Sequence, residues 1–345
     1  MRRTIWLVLA LFMTLSTWGK VKLPSIIGDN MVLQRSSCVN IWGWADSFQK
    51  ITVEPSWNHQ VYATQADGDG KWLLQIQTPV AGGPYYIQIS DGEILMLNDI
   101  LIGEVWICSG QSNMEMPVHG FYGQPVAGSL DEIFEAKQYS GIRMFTVPPT
   151  PAKYPQENCG GSWLQSTPES VRDFSAVGYF FGKNLNRVLN IPIGLITANC
   201  GGIAIEPWMT IEAIKETVGI NQELAFTPQV KTEAANASYL FNGMIAPIRN
   251  YASRGFIWYQ GESNQHNYFD YDKLMTSMVK LWRREWKNEG MPFYYVQLAP
   301  FPYDGAEKIA LPLVIEAQYK ALQNIPNAGI AATTDLGHST CIHPP

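Results

Sequence analysis

The stretch that decides the fold is Glu104-Val105-Trp106-Ile107-Cys108-Ser109-Gly110-Gln111-Ser112-Asn113-Met114. Its first half contains an uninterrupted apolar run, which is typical of a strand buried on both faces of a sheet. A glycine-bounded turn follows this run. In open α/β sheets such turns lie at the carboxyl ends of strands, where ligands bind. Ser112 in this turn is therefore either the N-cap of a helix or a nucleophile.

Similar apolar runs recur toward the C-terminus and alternate with helical stretches, which predicts a parallel sheet covered on both faces. The predicted strands are residues 105–108, 193–198, 255–259, 293–298 and 329–333. Two apolar stripes recur at helical spacing, and we interpret both as core faces without chemistry. They consist of Phe174, Val177, Phe181, Leu185 and Val188, and of Leu274, Met278, Leu281 and Trp282.

The residues before this region have a different pattern, with short β-type runs separated by turn residues. The runs are residues 39–44, 51–54, 60–64, 72–76, 85–89 and 94–97. Their spacing predicts an antiparallel β-sandwich over residues 20–100, followed by an α/β domain over residues 101–345. A length of 345 residues suits two domains.

The N-terminus has the pattern of a secretory signal, with Arg2 and Arg3 before a mostly apolar run over residues 5–15. We predict that residues 1–19 are removed and that the protein is exported, to the periplasm or the extracellular space. The run is shorter than the roughly 20 apolar residues needed to span a bilayer, so we expect no stable membrane anchor.

Composition excludes several classes of function. With 46% hydrophobic and 16% charged residues the chain is globular, and its net charge of -6 without a like-charge run argues against nucleic-acid binding. The five cysteines are scattered and include no C-x-x-C pair, which argues against a disulfide framework and a zinc site. We therefore expect no metal and no cofactor.

Polar or glycine-rich clusters follow four of the predicted strands, so they should converge on one cleft. The clusters are residues 110–114, 199–202, 258–264 and 334–344. A nucleophilic serine needs a base, which is most often a histidine. Of the five histidines, His59 lies in the β region, and His119 and His266 lie in predicted loops. Only His338 and His343 follow the last predicted strand, so these two residues are the candidates for the base.

Three motifs carry a family resemblance. The stretch quoted above, residues 257–264 (Ile-Trp-Tyr-Gln-Gly-Glu-Ser-Asn), and Asp335-Leu336-Gly337 through Ile342-His343-Pro344 resemble the sialate O-acetylesterase family within the SGNH (GDSL-like) hydrolases. The resemblance covers nearly the whole chain after the signal. It implies a flavodoxin-like SGNH domain preceded by a β domain, with Ser112 as nucleophile, His343 as base and no cofactor.

The resemblance also implies an oxyanion hole. Its donors would be the backbone N–H of Ser112, the N–H of Gly201 or Gly202, and the side chain of Gln260, which stands where other SGNH enzymes have an asparagine. Preorganised donors of this kind stabilise the tetrahedral intermediate of acyl transfer. We expect five further residues to contact the substrate: Gln111, Asn113, Trp208, Tyr259 and Asn264.

The third member of the triad departs from the family pattern. SGNH enzymes commonly have an aspartate three residues before the histidine, which is Thr340 here, and close relatives often have one at the position of Cys341. We favour Asp335 as the orienting acid, with Glu262 or a water-supported dyad as alternatives. Relatives usually continue into a closing helix after the histidine motif, so we also expect this chain, which stops at Pro345, to be a truncated form.

The predicted function is that of an exported serine esterase that removes O-acetyl groups from carbohydrates. The first expected substrate is an O-acetylated sialic acid, and acetylated xylan or another glycan is the second. A rival hypothesis is an inactive carbohydrate-binding homologue, which the missing aspartate favours. In each case the partner is a small molecule or a glycan.

Overall fold

The computed structural model describes residues 21–219, 233–302 and 309–345. The predicted signal segment lies outside these ranges. Within them, no helix has the length and apolar character needed to cross a membrane.

The strands in chain order are β1 (Val32–Gln34), β2 (Cys38–Trp44), β3 (Lys50–Pro55), β4 (Tyr62–Gln65), β5 (Lys71–Gln77), β6 (Gly82–Ser90), β7 (Ile94–Gly110), β8 (Ile142–Thr146), β9 (Trp163–Gln165), β10 (Ile193–Asn199), β11 (Gly255–Tyr259), β12 (Phe293–Val296) and β13 (Ala328–Ala331). The α-helices are α1 (Ser112–Glu115), α2 (Ser129–Glu135), α3 (Pro168–Arg172), α4 (Ala176–Leu189), α5 (Ile211–Val218), α6 (Tyr268–Glu285) and α7 (Ala310–Asn324). Shorter helical turns span Ala136–Tyr139, Glu206–Trp208, Glu233–Ala235, Phe241–Ile245, Ala246–Ile248 and Glu262–Asn267.

The N-terminal strands pair mainly antiparallel, as their alternating pattern predicted. β2 pairs with β5, and β3 pairs with both β4 and β6. β5 shows the reason most clearly, because its residues alternate strictly between exposed and buried, which is the pattern of a strand with one face on the core. β1 is the exception, since it pairs in parallel with β7.

β7 joins this region to the rest of the molecule without a linker. Its first part pairs antiparallel with β6, and its last part, from Glu104 to Gly110, pairs in parallel with β10. The predicted strands 94–97 and 105–108 are therefore the two ends of one 17-residue strand. This strand crosses the domain boundary that we placed at residue 100, so the two predicted regions share one sheet.

The parallel sheet has the order β13-β12-β11-β7-β10-β8-β9, in which only β9 runs antiparallel to its neighbour. If β8 and β9 are taken as an added edge, the remaining strands follow the 2-1-3-4-5 order of flavodoxin-like folds. β10 and β11 are buried along their whole length, which explains their continuous apolar sequences. The predicted flavodoxin-like α/β architecture with a parallel sheet is confirmed for this part of the chain.

The helices pack on the sheet largely through the predicted stripes. In α6, the side chains of Leu274, Met278, Leu281 and Trp282 are all buried. In α4, Val177, Phe181 and Leu185 pack partly buried against the core, whereas Val188 is 80% exposed near the end of the helix. Ser175 caps α4 by accepting a hydrogen bond from Gly178 N, and its hydroxyl donates to Met114 O, which ties α4 to α1.

The carboxyl ends of β7, β10 and β11 meet at Gly110. This residue is in register with Asn199 on one side and Tyr259 on the other. Its φ is +147°, and a Cβ placed there would lie 2.1 Å from Tyr259 O. Only glycine fits, because any side chain would force the neighbouring backbone apart.

We expect Gly110→Ala to lower the free energy of unfolding by at least about 3 kcal/mol, because it combines backbone strain with overpacking against a strand. Gly128→Ala is the matched control. Gly128 also has a positive φ of +72°, but a Cβ there meets nothing within 4 Å. That variant should lose only about 1 kcal/mol, the cost of the left-handed conformation. Urea unfolding of the two variants measures both values, and equal losses would contradict this account of Gly110.

Candidate active site

Ser112 lies at the start of α1, directly after the turn that ends β7. Gln111 N donates to Tyr259 O (3.0 Å) and Met116 N donates to Ser112 O (2.8 Å), so the turn is fixed on both sides. The Ser112 side chain is half-buried, and its hydroxyl makes no hydrogen bond within the described part of the chain. This serine does not act as a side-chain helix cap, because α1 has no side-chain cap bond and begins at Ser112 itself.

The loop after β10 passes beside this serine. Cys200 N donates to Gly110 O (3.0 Å), and a Cβ placed on Gly201 would lie 3.5 Å from Ser112 Cβ and 2.7 Å from Glu115 Oε2. Burial raises the pKa of Glu115, although a backbone hydrogen bond from Gly201 opposes that shift. Gly202 has a φ of +71° and open space around it. The loop thus passes close to the serine at Gly201, where a larger residue would meet Glu115 and Ser112.

Gln260 follows β11 and is completely buried. Its Nε2 donates to Ile203 O (3.2 Å) and to Asn264 Oδ1 (2.7 Å), and its Oε1 accepts from the Tyr271 hydroxyl (2.9 Å). Both amide hydrogens are therefore used inside the protein. As the side chain stands, Gln260 has no free N–H to offer an oxyanion.

Glu262 is buried beneath the serine turn. Its Oε1 accepts a hydrogen bond from Asn113 Nδ2 (2.6 Å), whereas its Oε2 is buried and has no hydrogen-bond partner in the part of the chain that the structure describes. Burial raises the pKa of Glu262, opposed in part by the Asn113 bond. The same Asn113 nitrogen donates to Ile342 O (3.3 Å). Asn113, the residue after Ser112, therefore connects Glu262 with Ile342, the residue before His343.

Glu206 is a buried carboxylate that the sequence analysis did not single out. It accepts hydrogen bonds from Asn264 Nδ2 (3.1 Å) and Asn267 Nδ2 (2.6 Å), and burial raises its pKa. These bonds tie the loop after β10 to the loop after β11. A signal was present in the sequence, because Glu206 is a lone acidic residue in the mostly apolar run over residues 203–209.

The five predicted substrate contacts form the floor beneath the cleft and expose almost no surface. Their exposed fractions are 2% for Gln111, 5% for Asn113, 0% for Trp208, 6% for Tyr259 and 0% for Asn264. The Trp208 ring packs edge-on against Trp258 at 6.0 Å. Gln111 Oε1 accepts from Ser263 N (3.3 Å), and Asn264 Oδ1 accepts from Ile205 N (3.0 Å). These side chains hold loops together and are not free to stack on a sugar.

His343 is half-buried on the loop that follows β13. Its Nδ1 lies 2.6 Å from Gln124 Oε1, and its ring packs edge-on against Phe121 with 5.2 Å between ring centres. Nε2 is buried without a partner, and burial lowers the pKa of the imidazole. No hydrogen bond joins His343 to Ser112, both of which the structure describes. Catalytic hydrogen bonds often tighten only when substrate binds.

The other residues considered for the triad lie apart from this imidazole. Asp335 is exposed, and no hydrogen bond or ion pair of the described chain joins it to His343. His338 is exposed and accepts a hydrogen bond from Thr340 N (3.3 Å) at Nδ1. Glu262 reaches the histidine segment only through Asn113. The structure therefore gives the imidazole an amide partner in place of the favoured carboxylate.

The described residues place a serine, a histidine with one bare ring nitrogen, and glycine N–H groups at one edge of the sheet. These are the groups that acyl transfer through a serine requires. In the same ranges, no three His, Cys, Asp or Glu side chains are grouped so that they could hold a metal ion.

Comparisons with known proteins agree on one family. The family described as "Carbohydrate esterase, sialic acid-specific acetylesterase" matches residues 102–343. Sialate O-acetylesterases of Pongo abelii and Homo sapiens are each 28% identical to this chain, covering 96% of it and 69% of the relative. A crystal structure of a carbohydrate acetylesterase from Xanthomonas citri superposes with a TM-score of 0.85 at 32% identity, covering 94% of this chain and 71% of the other. The chain is therefore an esterase that belongs to the sialic acid-specific acetylesterase family of carbohydrate esterases.

Proposed function

We propose that this protein is an exported serine esterase that removes O-acetyl groups from carbohydrates, with Ser112 as nucleophile and His343 as general base. One observation carries the proposal. Asn113 bonds both Glu262 and the carbonyl of Ile342, which links the segment of His343 to the turn of Ser112. Ser112 and His343 come from opposite ends of the sequence of the α/β domain, and the segments that carry them are joined by the buried side chain of Asn113.

The reaction follows from these groups. His343 Nε2 accepts the hydroxyl proton as Ser112 Oγ attacks the acetyl carbonyl carbon. The tetrahedral intermediate then releases the sugar oxygen, which takes that proton from the imidazolium. Water attacks the acetyl-serine with His343 again as base. The second tetrahedral intermediate then breaks its bond to Ser112 Oγ, which takes the proton back from the imidazolium, and acetate leaves. Nε2 has no hydrogen-bond partner among the described residues, so in the tautomer protonated at Nδ1 its lone pair is available to accept that proton.

The oxyanion formed in each step needs N–H donors. We propose the backbone N–H of Ser112 and of Gly202, with Gly201 as the alternative to Gly202. A Cβ at Gly202 would meet nothing within 4 Å, so its backbone is the more open of the two. Gln260 then acts as a positioning residue, since its amide fixes Asn264 and the loop carbonyl of Ile203.

The substrate we propose is an O-acetylated sialic acid. The matched family and the mammalian relatives carry that specificity in their names, and the similar crystal structure is of a carbohydrate acetylesterase. Acetylated xylan or another acetylated glycan is the second candidate. We also propose that the signal at residues 1–19 directs export, and that the two N-terminal sheets form the predicted β-sandwich.

Ser112→Ala should abolish acetate release from a generic acetyl ester while changing the free energy of unfolding by less than about 1 kcal/mol, because the hydroxyl makes no internal bond. Ser263→Ala is the matched control, a half-buried serine of the neighbouring loop that should stay active. Acetate assays and thermal unfolding check both variants. Full activity in Ser112→Ala would exclude the proposed nucleophile, and an inactive wild-type protein would favour the carbohydrate-binding alternative.

A substrate panel tests the proposed sugar. We expect kcat/KM for O-acetylated sialic acids to exceed that for acetylated xylan by at least about tenfold, which is about 1.4 kcal/mol in transition-state stabilisation. Acetate release is measured for both substrates, with Ser112→Ala as the background. A higher kcat/KM for acetylated xylan would instead identify plant glycans as the substrates.

The two carboxylates should differ in their effect on the rate. Asp335→Asn should leave kcat within about twofold, because Asp335 is exposed and contacts neither Ser112 nor His343. Glu262→Ala should lower kcat by about 10- to 100-fold, the usual cost of losing a supporting hydrogen bond, because Asn113 then loses its anchor. Steady-state kinetics of the two variants measure kcat in each case. A nearly inactive Asp335→Asn would return this residue to the role of orienting acid.

A further inference from the structure

We propose that Gln124 is the residue that orients the His343 imidazole, in the position where a serine hydrolase usually has a carboxylate. This inference rests on the proposed function, because it assigns a partner to the proposed base. The side-chain oxygen of Gln124 lies 2.6 Å from His343 Nδ1, which is within hydrogen-bond distance.

The contact determines which ring nitrogen carries the proton. An amide oxygen can only accept a hydrogen bond, so Nδ1 must be protonated when it bonds Gln124 Oε1. In a neutral imidazole the other nitrogen then has a lone pair. Nε2 is buried without a partner, so nothing in the described structure competes for that lone pair. Gln124 thus selects the tautomer that can accept a proton from serine.

The loop that carries Gln124 is constrained by its own backbone. Gln124 N donates to Phe121 O (2.9 Å), closing a turn over residues 121–124. Gly120, before the turn, has a φ of +82°, and a Cβ there would lie 2.3 Å from Gln124 O. Phe121 packs edge-on against the His343 ring. One turn therefore provides both the hydrogen bond and a wall for the imidazole, which fixes its position and its orientation.

The same stretch of chain carries the nucleophile. Residues 112–124 run from Ser112 through α1 to this turn, and two backbone bonds anchor the segment on the way. Val118 N donates to Phe174 O (2.9 Å), and His119 N donates to Arg172 O (3.0 Å). The serine and the orienting amide are thus held on one anchored segment, and the imidazole contacts this segment at Phe121 and Gln124.

Within the described residues, no charged group takes this place. The Cys341 thiol, at a position where relatives often have aspartate, donates to the backbone carbonyl of His343 and does not reach the ring. Glu262 is held by Asn113, and Asp335 is exposed. The proton arrangement therefore resembles the Cys-His-Asn sites of papain-like proteases, in which an amide also holds the histidine. An amide fixes the tautomer but adds no negative charge to stabilise the imidazolium.

The first experiment removes the acceptor and keeps the side chain's length. Gln124→Met should lower kcat for a generic acetyl ester by about 10- to 100-fold, as is usual when the partner of a functional histidine is lost. KM should stay within about twofold, because the bond acts on the base and not on the substrate. Gln138→Met, at an exposed glutamine, is the control and should match wild type. Unchanged kcat in Gln124→Met would overturn the proposal.

The second experiment places a negative charge beside the His343 imidazole. A carboxylate at this position favours the imidazolium, so Gln124→Glu should raise the pKa of His343 by about 1 to 2 units. Because kcat/KM rises with pH as the base loses its proton, the acidic limb of the pH profile should move to higher pH by the same amount. A profile that stays where it is in wild type would contradict direct contact between residue 124 and the imidazole.

A measurement without turnover separates this inference from the proposed function. The ¹⁵N shifts of the His343 ring, assigned by comparison with His343→Gln, report the tautomer directly. Wild type should show a protonated Nδ1 and a bare Nε2, and Gln124→Met should lose that preference. If the tautomer behaves this way but Ser112→Ala still hydrolyses esters, the proposed function fails and the Gln124 contact stands. If wild type is active but its Nδ1 is unprotonated, the Gln124 proposal fails alone.

Discussion

The approach of three strands at Gly110 is the constraint on which the rest of this molecule depends. Because Gly110 lacks a side chain, β7 can lie in register with β10 and β11 at their last residues. Gln111 N and Cys200 N then bond the carbonyls of Tyr259 and Gly110, so the serine turn and the glycine loop are fixed to the same point. The apolar sequences of β7 and β10 bury this junction, and their turn residues emerge together at one edge.

Beneath that edge the protein buries more polar groups than a core normally contains. Glu206, Gln260, Asn264 and Glu262 are all at most 7% exposed, and most of their polar atoms are hydrogen-bonded. Such networks make the position of each loop depend on its neighbours, which rigidifies a site when every member is satisfied. The unpartnered Oε2 of Glu262 is the exception, and it lies beside Asn113, the link to the histidine. The polar floor therefore fixes the positions of the loops that carry Ser112, Gly201 and Gln260.

Much of the fold could be read from the sequence, because continuous apolar runs and helical stripes report burial directly. The strands ending at Tyr259 and Asn199 match their predictions to within one residue. β8 was not predicted, and the continuity of β7 was hidden by Asn98, Asp99 and Gly103 within it. Residue types in motifs indicated Gln260 and Asn264 as part of the site, but not that their side chains point inward. Gln124 belongs to no motif, and its partner lies 219 residues away, so only tertiary structure brings the contact to light.

The loop after β13 is attached in a way that bears on the rate of the reaction. After β13 the chain forms no further helix or strand, and residues 334–340 are exposed. The His343 ring contacts Phe121 and Gln124, and Asn113 donates to the carbonyl of the neighbouring Ile342. Segments with few buried contacts open locally at a free-energy cost well below that of global unfolding. With His343 as the proposed base, the turnover rate is expected to scale with the fraction of molecules in which the imidazole is docked against Phe121 and Gln124. Activity in this architecture can be tuned through occupancy, by residues that never touch the ester.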